Sequence, residues 1–198
     1  LDIYPTHRTA AAPQWVYDYT KKNATSAKLS RDSDGYYPDG AYGGVPFPIP
    51  QTGAEVLWNH LLRWRGTSFR EDVQHYMITS SGSHVLSTGG VMDSEIPYYT
   101  PNGDASFDGN YYFAKMSSDA PAIRAGEGLV ARLNLVDSKS GAWTYLPGQR
   151  RVRRLPNPCC DTPSAMTAGV MTFDEVDVFT GRNNLFDWKL VGKQELYV

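Results

Sequence analysis

The side chains that could do chemistry in this chain are few, and their spacing suits none of the common constellations. Four histidines occur, His7, His60, His75 and His84, and no two stand within four residues of each other. The H-x-H and H-E-x-x-H patterns that bring two imidazoles to one metal are therefore absent. Cys159 and Cys160 are adjacent. Zinc sites and thiol redox pairs use spaced thiolates, and neighbouring cysteines can close only a small strained ring, so their pairing stays open. Asp104 and Asp108 lie in a Gly/Asn-rich stretch where turn formation accounts for them. They lack the ladder of oxygens ending in Glu that calcium requires. No Gly-x-Ser-x-Gly elbow is present, and Ser80-Ser-Gly-Ser83 reads as a hairpin turn. Gly126-Glu-Gly128 precedes a strand, whereas a phosphate cradle opens a helix. These readings predict no catalytic residue, no metal site and no cofactor: a protein that is not an enzyme.

The sharpest charge feature is Arg150, Arg151, Arg153 and Arg154. In a strand Arg151 and Arg153 share one face, while Arg150, Val152 and Arg154 share the other. Charge on both faces fits a solvated edge strand protected from aggregation, or a site that docks an anion or a partner. Four neighbouring positive charges repel, so carboxylate partners are expected beside them. The whole chain carries a formal charge of −2, which argues against nucleic acid as a partner.

The elements that position these residues follow from periodicity. A helix is predicted from Ala12 to about Leu29, with Trp15, Val16 and Tyr19 on one side and Pro13 at its start. Residues 31–50 are rich in Gly, Pro and Asp and read as a loop or rigid extended strap. Thr52 and Glu55 form a capping-box signature opening a second helix, expected over Gly53–Arg65. Its apolar stripe is Leu57, Trp58, Leu61, Leu62 and Trp64. From Phe69 the period becomes two, and strands are predicted around 69–79, from His84 onward with a bend or bulge at Gly89-Gly90, and around 111–117, 129–136, 142–146 and 149–155. Leu129, Ala131, Leu133 and Leu135 make one clean apolar face. A last strand is expected from Leu185 to about Val198. Two helices and seven or eight sequential strands imply an α+β, mainly antiparallel β fold: a curved sheet with helices on one face. No apolar run of about 18 residues exists to cross a bilayer as a helix.

Several stretches together resemble a bacterial envelope family catalogued as domain of unknown function 1329. They are Tyr4-Pro-Thr-His-Arg-Thr9, Gly43-Gly-Val-Pro-Phe-Pro-Ile-Pro50, Trp58-Asn-His60, Tyr145-Leu-Pro-Gly-Gln-Arg-Arg-Val-Arg-Arg154 and Phe186-Asp-Trp-Lys-Leu-Val-Gly-Lys193. The resemblance implies a LolA/LolB-like fold, an incomplete β-barrel whose concave face is covered by helices, and residues 1–198 as one domain from the centre of a longer exported protein. It further implies a periplasmic or outer-membrane-associated place and a hydrophobic molecule or lipid as ligand, with an envelope transporter or outer-membrane protein as a further partner. The expected cavity residues are Leu57, Trp58, Leu61, Leu62, Trp64, Leu129, Ala131, Leu133 and Leu135, between sheet and helices. The alternative expectation is a structural or interaction module of an envelope transport assembly, with a filled core and no ligand of its own.

Overall fold

The computed structural model describes residues 11–155 and 162–194. The Tyr4–Thr9 stretch, His7, and the Cys159–Cys160 pair lie outside the described residues.

Helix α1 spans Gln14–Ser26 and starts directly after Pro13, one residue later than the first-turn position expected for that proline. It ends three residues short of Leu29, because Lys28 already belongs to a strand. Lys28–Asp32 (β1) and Gly35–Asp39 (β2) form an antiparallel hairpin inside the stretch expected to be a loop. Gly35 has φ +122, and Pro38 is tolerated because each strand of a two-stranded sheet is an edge. Residues 41–50 are irregular chain with repeated bends and no helix or strand, as their prolines dictate.

Proline removes backbone donors and leaves carbonyls without partners, and two asparagines answer this. Asn23, 2% exposed on α1, donates from Nδ2 to the carbonyls of Tyr42 and Val45 and accepts from the Tyr42 N–H at Oδ1. Asn59 donates to the Phe47 carbonyl at 2.7 Å and accepts from the Phe47 N–H at 2.9 Å. Each side chain thus stands in for a strand neighbour. Asn23 also heads a glycosylation sequon, Asn23-Ala-Thr25, but its amide is buried in this clamp.

Helix α2 spans Gly53–Leu61 and carries the full capping box of Thr52 and Glu55. It stops at Leu61, short of the expected Arg65. The Tyr99 hydroxyl donates to the Leu62 carbonyl, and Trp64 turns aside to stack edge-on against Trp15 and Tyr99.

The remaining strands are β3 (Ser68–Ile78), β4 (His84–Glu95), β5 (Asn110–Ala120), β6 (Gly128–Asn134), β7 (Gly141–Leu146) and β8 (Arg151–Arg154). They pair antiparallel in chain order as one meander. Among the described residues β3 and β8 do not pair, so the sheet stays open. The pairing of β4 with β5 shifts register between Gly89 and Gly90, where the sequence expects a bend or bulge. The predicted terminal strand is absent over 185–194: a single 3-10 turn, Asn183–Leu185, is followed by irregular chain. Its alternating residues serve a local cluster instead, with Phe186 and Trp188 edge-on to Phe179; residues 195–198 lie outside the described range.

The core gathers at one end of the sheet. Val16, Leu57, Trp58, Leu61 and Leu62 pack with Ile96, Tyr98, Tyr99 and Tyr111. Tyr98 and Tyr99 are fully buried, and burial pushes both phenols above their ordinary value. Two substitutions test this account by denaturant unfolding. Leu61→Ala is expected to cost about 2–5 kcal/mol. Asn23→Leu keeps the volume but orphans buried groups of the 41–46 strap, and is expected to cost at least about 2 kcal/mol.

Candidate functional site

Across the middle of the sheet one register row is made of small residues. Ser94 pairs with Ala114, Ala114 with Ala131, and Ala131 with Ala142. The row on one side carries Met92, Met116 and Leu129, and the row on the other carries Tyr112 and Leu133. Opposed residues point to the same face, so the small row is a trough between two larger ridges.

A cavity of about 740 Å³ lies over this trough. Its floor is Met92, Ala114, Leu129, Ala131, Leu133 and Ala142, and Trp58, Leu61 and Tyr111 close the end nearest the core. The opposite side is formed by irregular chain: Met166, Phe173, Val176, Asp177 and Thr180. The β1–β2 turn contributes Asp32, Asp34 and Gly35 at the rim.

Polar contacts at its margins hold the irregular segment in place. The Asp177 carboxylate receives both Arg63, at 2.6 Å, and Arg65. His60 Nε2 lies 2.7 Å from the Asp177 carbonyl oxygen. Arg182 pairs with Asp137 at 2.9 Å. Asn183 donates to the Tyr36 carbonyl and accepts from the Tyr36 N–H at 3.0 Å. At the far end the Ser87 hydroxyl donates to the Met166 carbonyl at 2.8 Å. Asp177 and Val178 both have positive φ, 61 and 77, a conformation a β-branched residue adopts only under constraint. Burial raises the Asp137 carboxyl, and the Arg182 charge opposes the shift. Asp34 is held low by its hydrogen bonds from Ser138.

Of the nine expected cavity residues, Trp58, Leu61, Leu129, Ala131, Leu133 and Leu135 line the space. Leu57 and Leu62 are buried in the core behind it, and Trp64 packs against that core. Helix α1 does not reach the cavity, so only α2 of the two helices contributes to its wall. The segment over the trough, with Arg63 and Arg65, was not anticipated. Thr172 with Glu175, a second capping box, and the aromatics at 173, 179, 186 and 188 were the available signals. The arginines lie on the edge strand expected, Arg151–Arg154 being β8 and exposed along its length, but the carboxylate partners expected beside them are missing: none among the described residues pairs with Arg150, Arg151, Arg153 or Arg154. Edge exposure lets water solvate the charges, so no counter-ion is demanded. Arg154 borders the cavity. Among the described residues no group of His, Cys, Asp and Glu could hold a metal ion.

Comparison with known proteins gives one family match, described as "Protein of unknown function (DUF1329)", over residues 1–198. The chain is 36% identical over 203 residues to the uncharacterized protein PA3922 of Pseudomonas aeruginosa, covering all of this chain and 44% of that protein. The chain thus spans less than half the length of this curated relative. A crystal structure described as an outer membrane lipoprotein-sorting protein domain, from Vibrio parahaemolyticus, superposes with a TM-score of 0.47 at 13% identity. The superposition covers 64% of this chain and 47% of that one.

The marginal contacts predict how the cavity opens. Asp177→Ala should cost about 1–3 kcal/mol and speed amide hydrogen exchange over 166–183 more than in β4–β6. Equal acceleration across the whole chain would contradict a separately anchored segment.

Proposed function

Since the chain belongs to the DUF1329 family, whose description assigns no activity, we propose from the cavity itself that the protein binds a hydrophobic molecule, a lipid or similar apolar compound, and carries it without chemical change. The observation that supports this reading is the roofed, unfilled trough of about 740 Å³, within the size range of small-molecule sites. Its floor offers aliphatic side chains and alanines, which reward apolar burial and supply no nucleophile. Five of its charged groups are engaged with one another, Arg63 and Arg65 with Asp177 and Arg182 with Asp137, which favours binding over conversion. The setting we propose is the bacterial envelope, periplasmic or associated with the outer membrane, where an apolar cargo must cross water. Among the described residues no helix is long and apolar enough to cross a membrane.

Titration with a fluorescent fatty-acid probe tests the reading. Binding should be driven by apolar burial, with a negative heat-capacity change and little dependence on salt. Ala131→Trp fills the trough from its floor and should weaken probe binding at least roughly tenfold, since indole occupies the volume the ligand needs. Its melting temperature should hold or rise. Unchanged binding in that variant, or no binding by the folded protein, would support the filled-core module instead.

A further inference from the structure

The short chain between α2 and β3 brings two guanidinium groups, those of Arg63 and Arg65, to the cavity wall. One carboxylate answers both. Asp177 accepts from Arg63 at 2.6 Å and from Arg65, and among the described residues no other carboxylate pairs with either. Of the other cavity carboxylates, Asp32, Asp34 and Asp137 gather around Arg182, and Glu71 is exposed. The arginine pair therefore keeps a net positive charge. It is also short of acceptors, because Arg65 Nε is buried and has no hydrogen-bond partner among the described residues. Neither arginine depends on Asp177 for its place. Arg63 donates to the His60 carbonyl at 2.9 Å, and the Arg65 guanidinium lies over the Tyr112 ring, 5.2 Å from its centre. Guanidinium forks fixed on a partly buried wall are receptors for a carboxylate.

Asp177 reaches them from a strained turn. Its φ is 61 and that of Val178 is 77, and Val178 is 87% exposed. No packing holds that β-branched residue in a region it ordinarily avoids. The turn keeps its shape through the contacts of Asp177: the two arginines, and His60 Nε2 at 2.7 Å from its carbonyl oxygen. A carboxylate tethered to strained backbone is a weaker occupant than a free one of the same chemistry.

We propose that Arg63 and Arg65 form the headgroup site of the cavity, that Asp177 fills it as an internal stand-in, and that the cargo is an anionic amphiphile, an acyl chain ending in a carboxylate. This rests on the reading of the trough as a carrier of apolar molecules and adds the charge of what is carried. The chain lies over Ala114, Ala131 and Ala142, and its carboxylate replaces that of Asp177 on the two guanidinium groups. Replacement frees the turn at 177–178, so arrival of the headgroup and release of the segment over the trough are coupled. One carboxylate exchanges for another, so the charge of the site is unchanged and binding stays insensitive to salt.

cis-Parinaric acid and its methyl ester carry the same fluorescent chain and differ in charge, so the ratio of their affinities reads the headgroup site separately from the trough. Wild type should bind the acid at least roughly tenfold more tightly than the ester, as charge-assisted hydrogen bonds do. Arg63→Gln with Arg65→Gln should bring the ratio to about one. Asp177→Asn removes the competitor and should raise the ratio above wild type, while any loosening of the segment acts on both probes and cancels. Near-ultraviolet circular dichroism checks that each variant is folded; if the arginine pair cannot be replaced without unfolding, Asp177→Asn decides alone. Equal binding of acid and ester by wild type leaves the carrier reading standing and overturns the headgroup site. A preference for the acid that survives loss of both arginines, or that Asp177→Asn fails to raise, also overturns it. Binding of neither probe overturns both readings.

Discussion

Every central strand of the meander turns small or apolar residues toward one face, and that face has to be kept from water. Two helices cannot do it. The irregular strap of residues 41–50, clamped by Asn23 and Asn59, joins α1 and α2 to the aromatic core, and that core occupies only the sheet end where Ile96, Tyr98, Tyr99 and Tyr111 are buried. The row Ala114, Ala131 and Ala142 is left behind it. Small residues opposite no partner leave space that the surrounding side chains do not reach. The trough follows from that mismatch between sheet width and helical cover.

What lies over the trough is held by polar contacts at its edges, and Phe179 and Trp188 beside it pack on the core. Arg63, Arg65 and His60 all converge on Asp177, and Arg182 and Asn183 tie the next turn to Asp137 and β2. Half-exposed ion pairs are individually modest. A segment held this way can open with little cost to the sheet beneath, as local unfolding units do. Access to a buried apolar space therefore needs no disruption of the core, which a carrier that loads and unloads requires.

Much of this architecture was legible from residue pattern. Strict alternation in Leu129–Leu135 identified both a strand and the face it turns to the cavity, and the Thr52/Glu55 pair marked the start of α2. Three features were hidden. The β1–β2 hairpin sits among Gly and Pro residues whose local preference is for turns, and it forms because its strands pair only with each other. Leu57, Leu62 and Trp64 share the stripe of Trp58 and Leu61, and all five belong to the core or pack on it, yet only Trp58 and Leu61 also reach the cavity. Helical periodicity gives the side of a helix but not the depth of each residue. The 162–188 segment has no period at all. Its place depends on single contacts such as Arg182–Asp137 and Asn183–Tyr36, between residues far apart in the chain.

The central claim is that the trough is occupied by an apolar molecule when the protein works. Native mass spectrometry of the protein purified without detergent from bacterial envelope tests it most directly. The account predicts a population heavier than the polypeptide, returned to the bare mass by organic-solvent extraction, with the extracted molecule apolar. A single species at the polypeptide mass, from protein whose folded state is confirmed by its near-ultraviolet circular dichroism, would contradict it.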